Sequence, residues 1–95
     1  MATGLVFDKR FALHEMGPDH IESPLRAIVL QDVLTRRLKG FYVPVTPRPA
    51  TEEELSLVHL PSYVSFLRET TGQDYFFFDS DTIAVPHTYE IACLA

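Results

Sequence analysis

The spacing of apolar residues changes several times along the chain, and each change marks an element. Thr3-Gly4-Leu5-Val6-Phe7 is a short apolar run that predicts a buried strand. Asp8 to Glu22 shows no periodicity and predicts a long loop, the kind that in compact domains tends to carry function. Ser23 suits an N-cap and Pro24 the first helical position. Leu25, Ile28, Val29, Val33 and Leu34 then recur at helical spacing, with Leu38 near the end and Gly40 placed to close the helix. Phe41 to Val45 predicts a second strand, kept short or at an edge by Pro44, which lacks an N–H for a ladder.

Pro47-Arg48-Pro49 reads as a stiff connector. Thr51 and Glu54 form a capping-box pattern that starts a helix running from Glu52 to about His59. Pro61 breaks it and opens another through Tyr63, Phe66 and Leu67, which Thr70-Thr71-Gly72 ends. Tyr75 to Phe78 is an apolar patch before an acidic turn, and a last helix from near Pro86 carries Tyr89, Ile91, Ala92 and Leu94. The order β-α-β-α-α-loop-α predicts an α/β fold without internal repeats. The sequence stops at Ala95 inside that last apolar helix, with none of the usual closing signals. Residues 1–95 are therefore expected to be one segment, the N-terminal portion of a longer domain.

Composition narrows the functional classes. Ninety-five residues allow one small domain or a piece of one, and 46% hydrophobic content is ordinary for a globular chain. A net charge of −5 argues against nucleic acid as a partner, which needs clustered cations. The one basic cluster, Arg36, Arg37 and Lys39, falls at a predicted helix end, where cations complement the dipole. Cys93 is the only cysteine, so no intramolecular disulfide can form, which fits a reducing, cytoplasmic setting. Its apolar neighbours suggest a buried small residue rather than a reactive thiol. The N-terminus lacks a signal-peptide pattern, no apolar run approaches membrane-spanning length, and no membrane partner is expected.

The chemistry concentrates between Leu13 and Arg26, where two histidines (His14, His20), three carboxylates (Glu15, Asp19, Glu22) and a Gly17-Pro18 turn share one loop. Titratable groups gathered on a loop are more often functional than the same groups on a helix face. This stretch resembles the start of the zinc-dependent deacetylases: histone deacetylases, acetoin-utilisation proteins and acetylpolyamine amidohydrolases. The matching residues are Thr3-Gly4-Leu5-Val6-Phe7-Asp8, then His14, then Gly17-Pro18-Asp19-His20-Ile21-Glu22-Ser23-Pro24-Leu25-Arg26. The resemblance continues in family order through Pro49-Ala50-Thr51 with Glu53-Glu54-Leu55, Val58-His59 with Tyr63, and Asp79-Ser80-Asp81-Thr82 with Tyr89-Glu90. Ile21 stands where the family has proline, which leaves free a φ that proline would fix. His87 stands where glycine is common.

The resemblance implies the N-terminal part of an arginase/deacetylase-like three-layer fold with a mostly parallel sheet. It implies a parent enzyme that hydrolyses an N-acyl amide, such as acetyl-lysine or an acetylpolyamine. A zinc-bound water would be the nucleophile, the metal having three protein ligands and an open position. The family's ligands and proton-transfer residues, an Asp-x-His, a further Asp and a His-His pair, lie beyond the point where this chain stops, and neither motif occurs here. The chain alone is thus expected to hold no catalytic residue and no metal, and to lack activity. Its partners would be an acetylated protein lysine or small amine and the remainder of the deacetylase domain.

Within the segment the resemblance implies roles for four residues. Arg26 would line an internal channel and hold released acetate, a task suited to a fork of donors that stays charged when buried. By periodicity alone it is an exposed arginine in a first helical turn. Asp81 would sit at the active-site rim and accept substrate hydrogen bonds, with Asp79 as its rival. A turn-forming aspartate is the plainer reading of either. His20 and Glu22 would belong to the rim, the alternative being a loop braced by its own hydrogen bonds. His14 and His20 match no tight zinc spacing, so a structural or surface role is favoured over an independent metal site. His59 and Tyr63 read as packing partners, and Phe76-Phe77-Phe78 as core rather than as an acyl channel. A competing reading of another class is a stand-alone, non-catalytic α/β module that binds a partner through apolar patches.

Overall fold

The structure is a computed structural model that describes residues 1–95. In chain order it contains β1 (Gly4–Val6), a 3-10 turn (Lys9–Leu13), α1 (Leu25–Arg37), β2 (Val43–Val45), α2 (Glu52–Leu55), α3 (Pro61–Glu69), a second 3-10 turn (Thr70–Gly72), β3 (Phe76–Phe77), β4 (Ile83–Ala84) and α4 (Thr88–Leu94). β1 and β2 pair in parallel, Gly4 opposite Val43 and Val6 opposite Val45, with α1 as the crossover. β3 and β4 form a small antiparallel hairpin. The two pairs are separate sheets.

The α/β class is as the apolar pattern predicts, with one parallel sheet, β1–β2, and one antiparallel hairpin beside it. The β3–β4 hairpin falls where the pattern gave an apolar patch and an acidic turn. Two-residue strands are too short for alternation to reveal them. The hairpin is pinned from outside: Phe66 of α3 meets Phe76 and Phe78 edge to face, at centroid distances of 5.7 and 5.8 Å. Phe76 and Phe78 also pack on each other, while Phe77, on the other face of the strand, is exposed.

Other boundaries shift for local reasons. The loop after β1 contains the Lys9–Leu13 turn, capped by Asp8, whose carboxylate accepts from the Arg10 backbone N–H. α1 begins at Leu25, one residue past the expected start, with Ser23 Oγ accepting from Leu25 N–H. α2 stops at Leu55 instead of near His59. Its capping box is complete, but a single turn with three acidic residues and no buried face has little to carry it further. α4 starts at Thr88, two residues after Pro86. Gly40 closes the α1 end at φ +87°, a conformation that a side chain disfavours.

Burial is sparse. The buried residues are Val64 of α3, Ala84 and Val85 at the end of β4, Ile91 and Leu94 of α4, and Thr70 of the second 3-10 turn. No residue of α1 is buried, and its predicted core positions Leu25, Ile28 and Val29 stay open to solvent. The molecule measures 42 × 35 × 17 Å and has a radius of gyration of 15.3 Å, against about 12 Å for a compact chain of this length. It exposes 7256 Å² of surface, where a folded chain of this size normally exposes about 5,500 Å². It is a thin layer, one face of which would be interior in a thicker domain.

Candidate functional site

The loop before α1 is fixed at two points by its histidines. His14 lies against α4, its Nδ1 sharing a 2.8 Å hydrogen bond with Thr88 Oγ1. Thr88 Oγ1 also accepts from Val85 N–H at 2.8 Å, so one hydroxyl joins the loop, β4's end and α4. Partial burial pushes the His14 imidazole below its ordinary range, and a charge on nearby His20 would push the same way.

His20 makes the second attachment. Its Nδ1 accepts from the Glu22 backbone N–H at 3.0 Å, so that nitrogen carries no proton. Nε2 must then carry it, and donates to the carbonyl oxygen of Asp81 at 2.8 Å. The two bonds together fix both the tautomer and the ring orientation. They tie the Met16–Ile21 stretch to the turn that links β3 and β4.

That turn is built by Asp79. Its Oδ1 accepts from the backbone N–H groups of Asp81 and Thr82, both at 2.8 Å. These donors, Asp81's amide first, hold the Asp79 carboxyl below the usual carboxylate range. Asp81 differs: its peptide groups are engaged, while its carboxylate is exposed and makes no hydrogen bond. The turn-forming aspartate is therefore Asp79, and Asp81 is the one free to meet a ligand.

Between loop and turn lies an open cleft of about 360 Å³, lined by Met16 to Ile21 on one side and Ser80, Asp81 and Ile83 on the other. Two of the four sequence-derived candidates, His20 and Asp81, meet here although 61 positions separate them. Glu22 and Arg26 lie beside the cleft, not in its lining. They pair with each other at 3.0 Å, four residues apart, with both side chains mostly exposed. No group of three or more His, Cys, Asp or Glu side chains comes together in a way that could hold a metal ion. The cleft can bind and orient through donors, acceptors and two free carboxylates, Asp19 and Asp81.

Sequence reasoning did not single out Thr88. Its hydroxyl faces two partners that lie far from each other in the chain, a contact no local pattern encodes. His59 and Tyr63 do pack together, at a centroid distance of 5.7 Å. Cys93 is half-buried rather than buried, and its carbonyl accepts from Ala50 N–H at 2.7 Å.

No protein-family model matches the chain. It is 32% identical over 100 residues to histone deacetylase 15 of Arabidopsis thaliana, a match that takes in 99% of this chain and 18% of that protein. It is 39% identical over 75 residues to the polyamine deacetylase HDAC10 of Homo sapiens, covering 74% of this chain and 11% of that one. Among solved structures, the HDA15 HD domain superimposes on 99% of the chain with a TM-score of 0.86 and 30% identity, and the chain spans 29% of that domain chain.

Proposed function

This chain belongs to the histone deacetylase family, of whose relatives it spans a fifth or less, and from that we propose that it forms the N-terminal part of a deacetylase domain that hydrolyses an N-acyl amide. The reading takes acetyl-lysine or an acetylpolyamine as substrate, and the cytoplasm as setting. The whole domain would be a three-layer arginase-like fold whose further layers cover the exposed face of this one. Zinc would supply the activated water in that domain. The side chains present here do not form a site for it, and no step through the metal is derived from them.

The contribution of this chain is a wall of the substrate cleft. His20 sets the distance between loop and turn, Asp79 shapes the turn, and Asp81 offers a carboxylate free to accept hydrogen bonds. An amide substrate presents N–H donors of that kind. Arg26, at the start of α1, is the residue we assign to the departing acetate. In this structure it pairs with Glu22 at 3.0 Å.

The observation that carries the proposal is the meeting of His20 with Asp81 within a fold that superimposes on a deacetylase domain. The test is acetyl-lysine and acetylpolyamine hydrolysis, with zinc content, for this chain beside the longest natural reading frame that contains it. Zinc and activity in the longer protein alone are the expected result. Neither in the longer protein would overturn the proposal. The alternative is then a non-catalytic module that binds a partner through the apolar surface left open on α1 and on the α2–α3 connection, Leu57, Val58 and Leu60.

A further inference from the structure

The carboxylates of the loop and the turn divide by what they touch. Glu15 accepts from the Gly17 backbone N–H at 3.1 Å, Glu22 pairs with Arg26, and Asp79 is spent on the amides of Asp81 and Thr82. None of these lines the cleft. Asp19 and Asp81 do line it, and both side chains are exposed and without a partner. One crosslink sets them on facing walls: His20, the residue after Asp19, donates to the Asp81 carbonyl at 2.8 Å. Asp19 itself sits in a turn that His20 N–H closes on the Gly17 carbonyl at 3.3 Å, with Gly17 at φ +106°. Its carboxylate takes no part in that turn. The lining holds no lysine or arginine, and Met16, Pro18, Ile21 and Ile83 make much of it apolar.

We propose that Asp19 is a specificity-determining residue, which together with Asp81 selects amides whose amine portion carries a second positive charge a short aliphatic distance from the acylated nitrogen. The assignment rests on the reading of the cleft as the substrate's. Two like charges across one open space repel each other, and a cation placed between them turns that repulsion into attraction. The apolar lining suits the methylene chain that carries such a charge, as it suits the stem of a lysine. A polyamine and an acetylated lysine with a basic neighbour present the same group, an ammonium on a flexible aliphatic chain. Asp81 serves either kind of substrate through its acceptor capacity, whereas Asp19, across the cleft, adds the preference for charge. A carboxylate in contact with an ammonium in water is worth about fivefold in affinity.

The test uses the longest natural reading frame that contains the chain, and substrates matched in all but one charge. An N-acetyl diamine is compared with the N-acetyl amino alcohol of the same length, and an acetyl-lysine peptide flanked by lysine with one flanked by norleucine. In at least one pair the charged member should have a kcat/KM higher by about fivefold or more at low salt, and that pair identifies the source of the ammonium. The preference should shrink at about 1 M salt, where the screening length falls to about 3 Å. Asp19→Asn should lower the charged-to-neutral ratio by about three- to fivefold, and Asp19→Glu should keep it. Equal rates within both pairs overturn the role of Asp19 and leave the deacetylase reading standing. So does a preference that persists in Asp19→Asn or at high salt. Hydrolysis of none of the four substrates overturns that reading, and this role with it.

Discussion

His14 and Thr88, 74 positions apart, share a 2.8 Å hydrogen bond that fastens the loop before α1 to the first turn of α4. Thr88 Oγ1 is at the same time the acceptor for Val85 N–H. Thr88→Val keeps the shape and removes both contacts, leaving the half-buried His14 nitrogen and the Val85 N–H without partners. The expected loss is about 1–3 kcal/mol, measured by denaturant unfolding, and a stability within error of wild type would contradict the role given to this hydroxyl.

The half-buried position of His14 also sets a pH dependence. Burial lowers the His14 value in the fold, so the unfolded chain takes up a proton there first as pH falls. Stability from this group is complete above the ordinary imidazole value of about 6.5 and declines as pH drops below it. Thermal melts between pH 7.5 and 5.5 should show that decline in the wild type and a flatter curve in His14→Asn. A rise in stability on acidification would mean that the ring is held charged.

Glu54 governs a lower range. It receives both arms of Arg48 at 2.8 and 2.9 Å, and the Thr51 N–H and hydroxyl, which hold its carboxyl at about 2. Its stabilising effect is present above the unfolded value near 4.5 and is lost as pH falls towards 2. Glu54→Gln should flatten the acid limb of the stability curve. Thr51→Ala should cost about 1 kcal/mol at neutral pH through loss of the cap.

Asp79 and Asp81 should separate cleanly. Asp79→Ala opens the turn and should lower stability measurably, as two backbone donors lose their acceptor. Asp81→Ala touches no side-chain hydrogen bond and should fall within about 0.5 kcal/mol of wild type. In the longer reading frame, Asp81→Ala should raise KM for an acetylated amine while leaving the melting temperature in place. Equal effects of the two changes on stability would refute the division.

Gly40 provides a backbone test. At φ +87°, with no neighbouring atom near the position of a Cβ, it has room for a side chain but not the conformation. Gly40→Ala should cost roughly 1–2 kcal/mol, and Gly40→Asn less. If the alanine variant were neutral, the end of α1 would not depend on this conformation.

The sequence by itself determined the elements whose causes are local. The Thr51–Glu54 capping box, the Pro61 helix start, the glycine stop after α1 and the short Pro44 strand are all written within a few residues, because capping, φ restriction and helical spacing act over one turn of chain. It also determined the family, since the ordered residues from Thr3 to Glu90 carry that resemblance. Tertiary structure alone decided the β3–β4 hairpin, fixed by Phe66 from ten or more residues away, and the failure of α1 to bury its apolar residues. It alone separated Asp79 from Asp81, because only the folded turn shows which carboxylate its amides consume. The bonds from His14 to Thr88 and from His20 to Asp81 have the same origin. Each spans more than sixty residues, and a contact of that length depends on the path of the whole chain between its ends, which no local pattern of residues records.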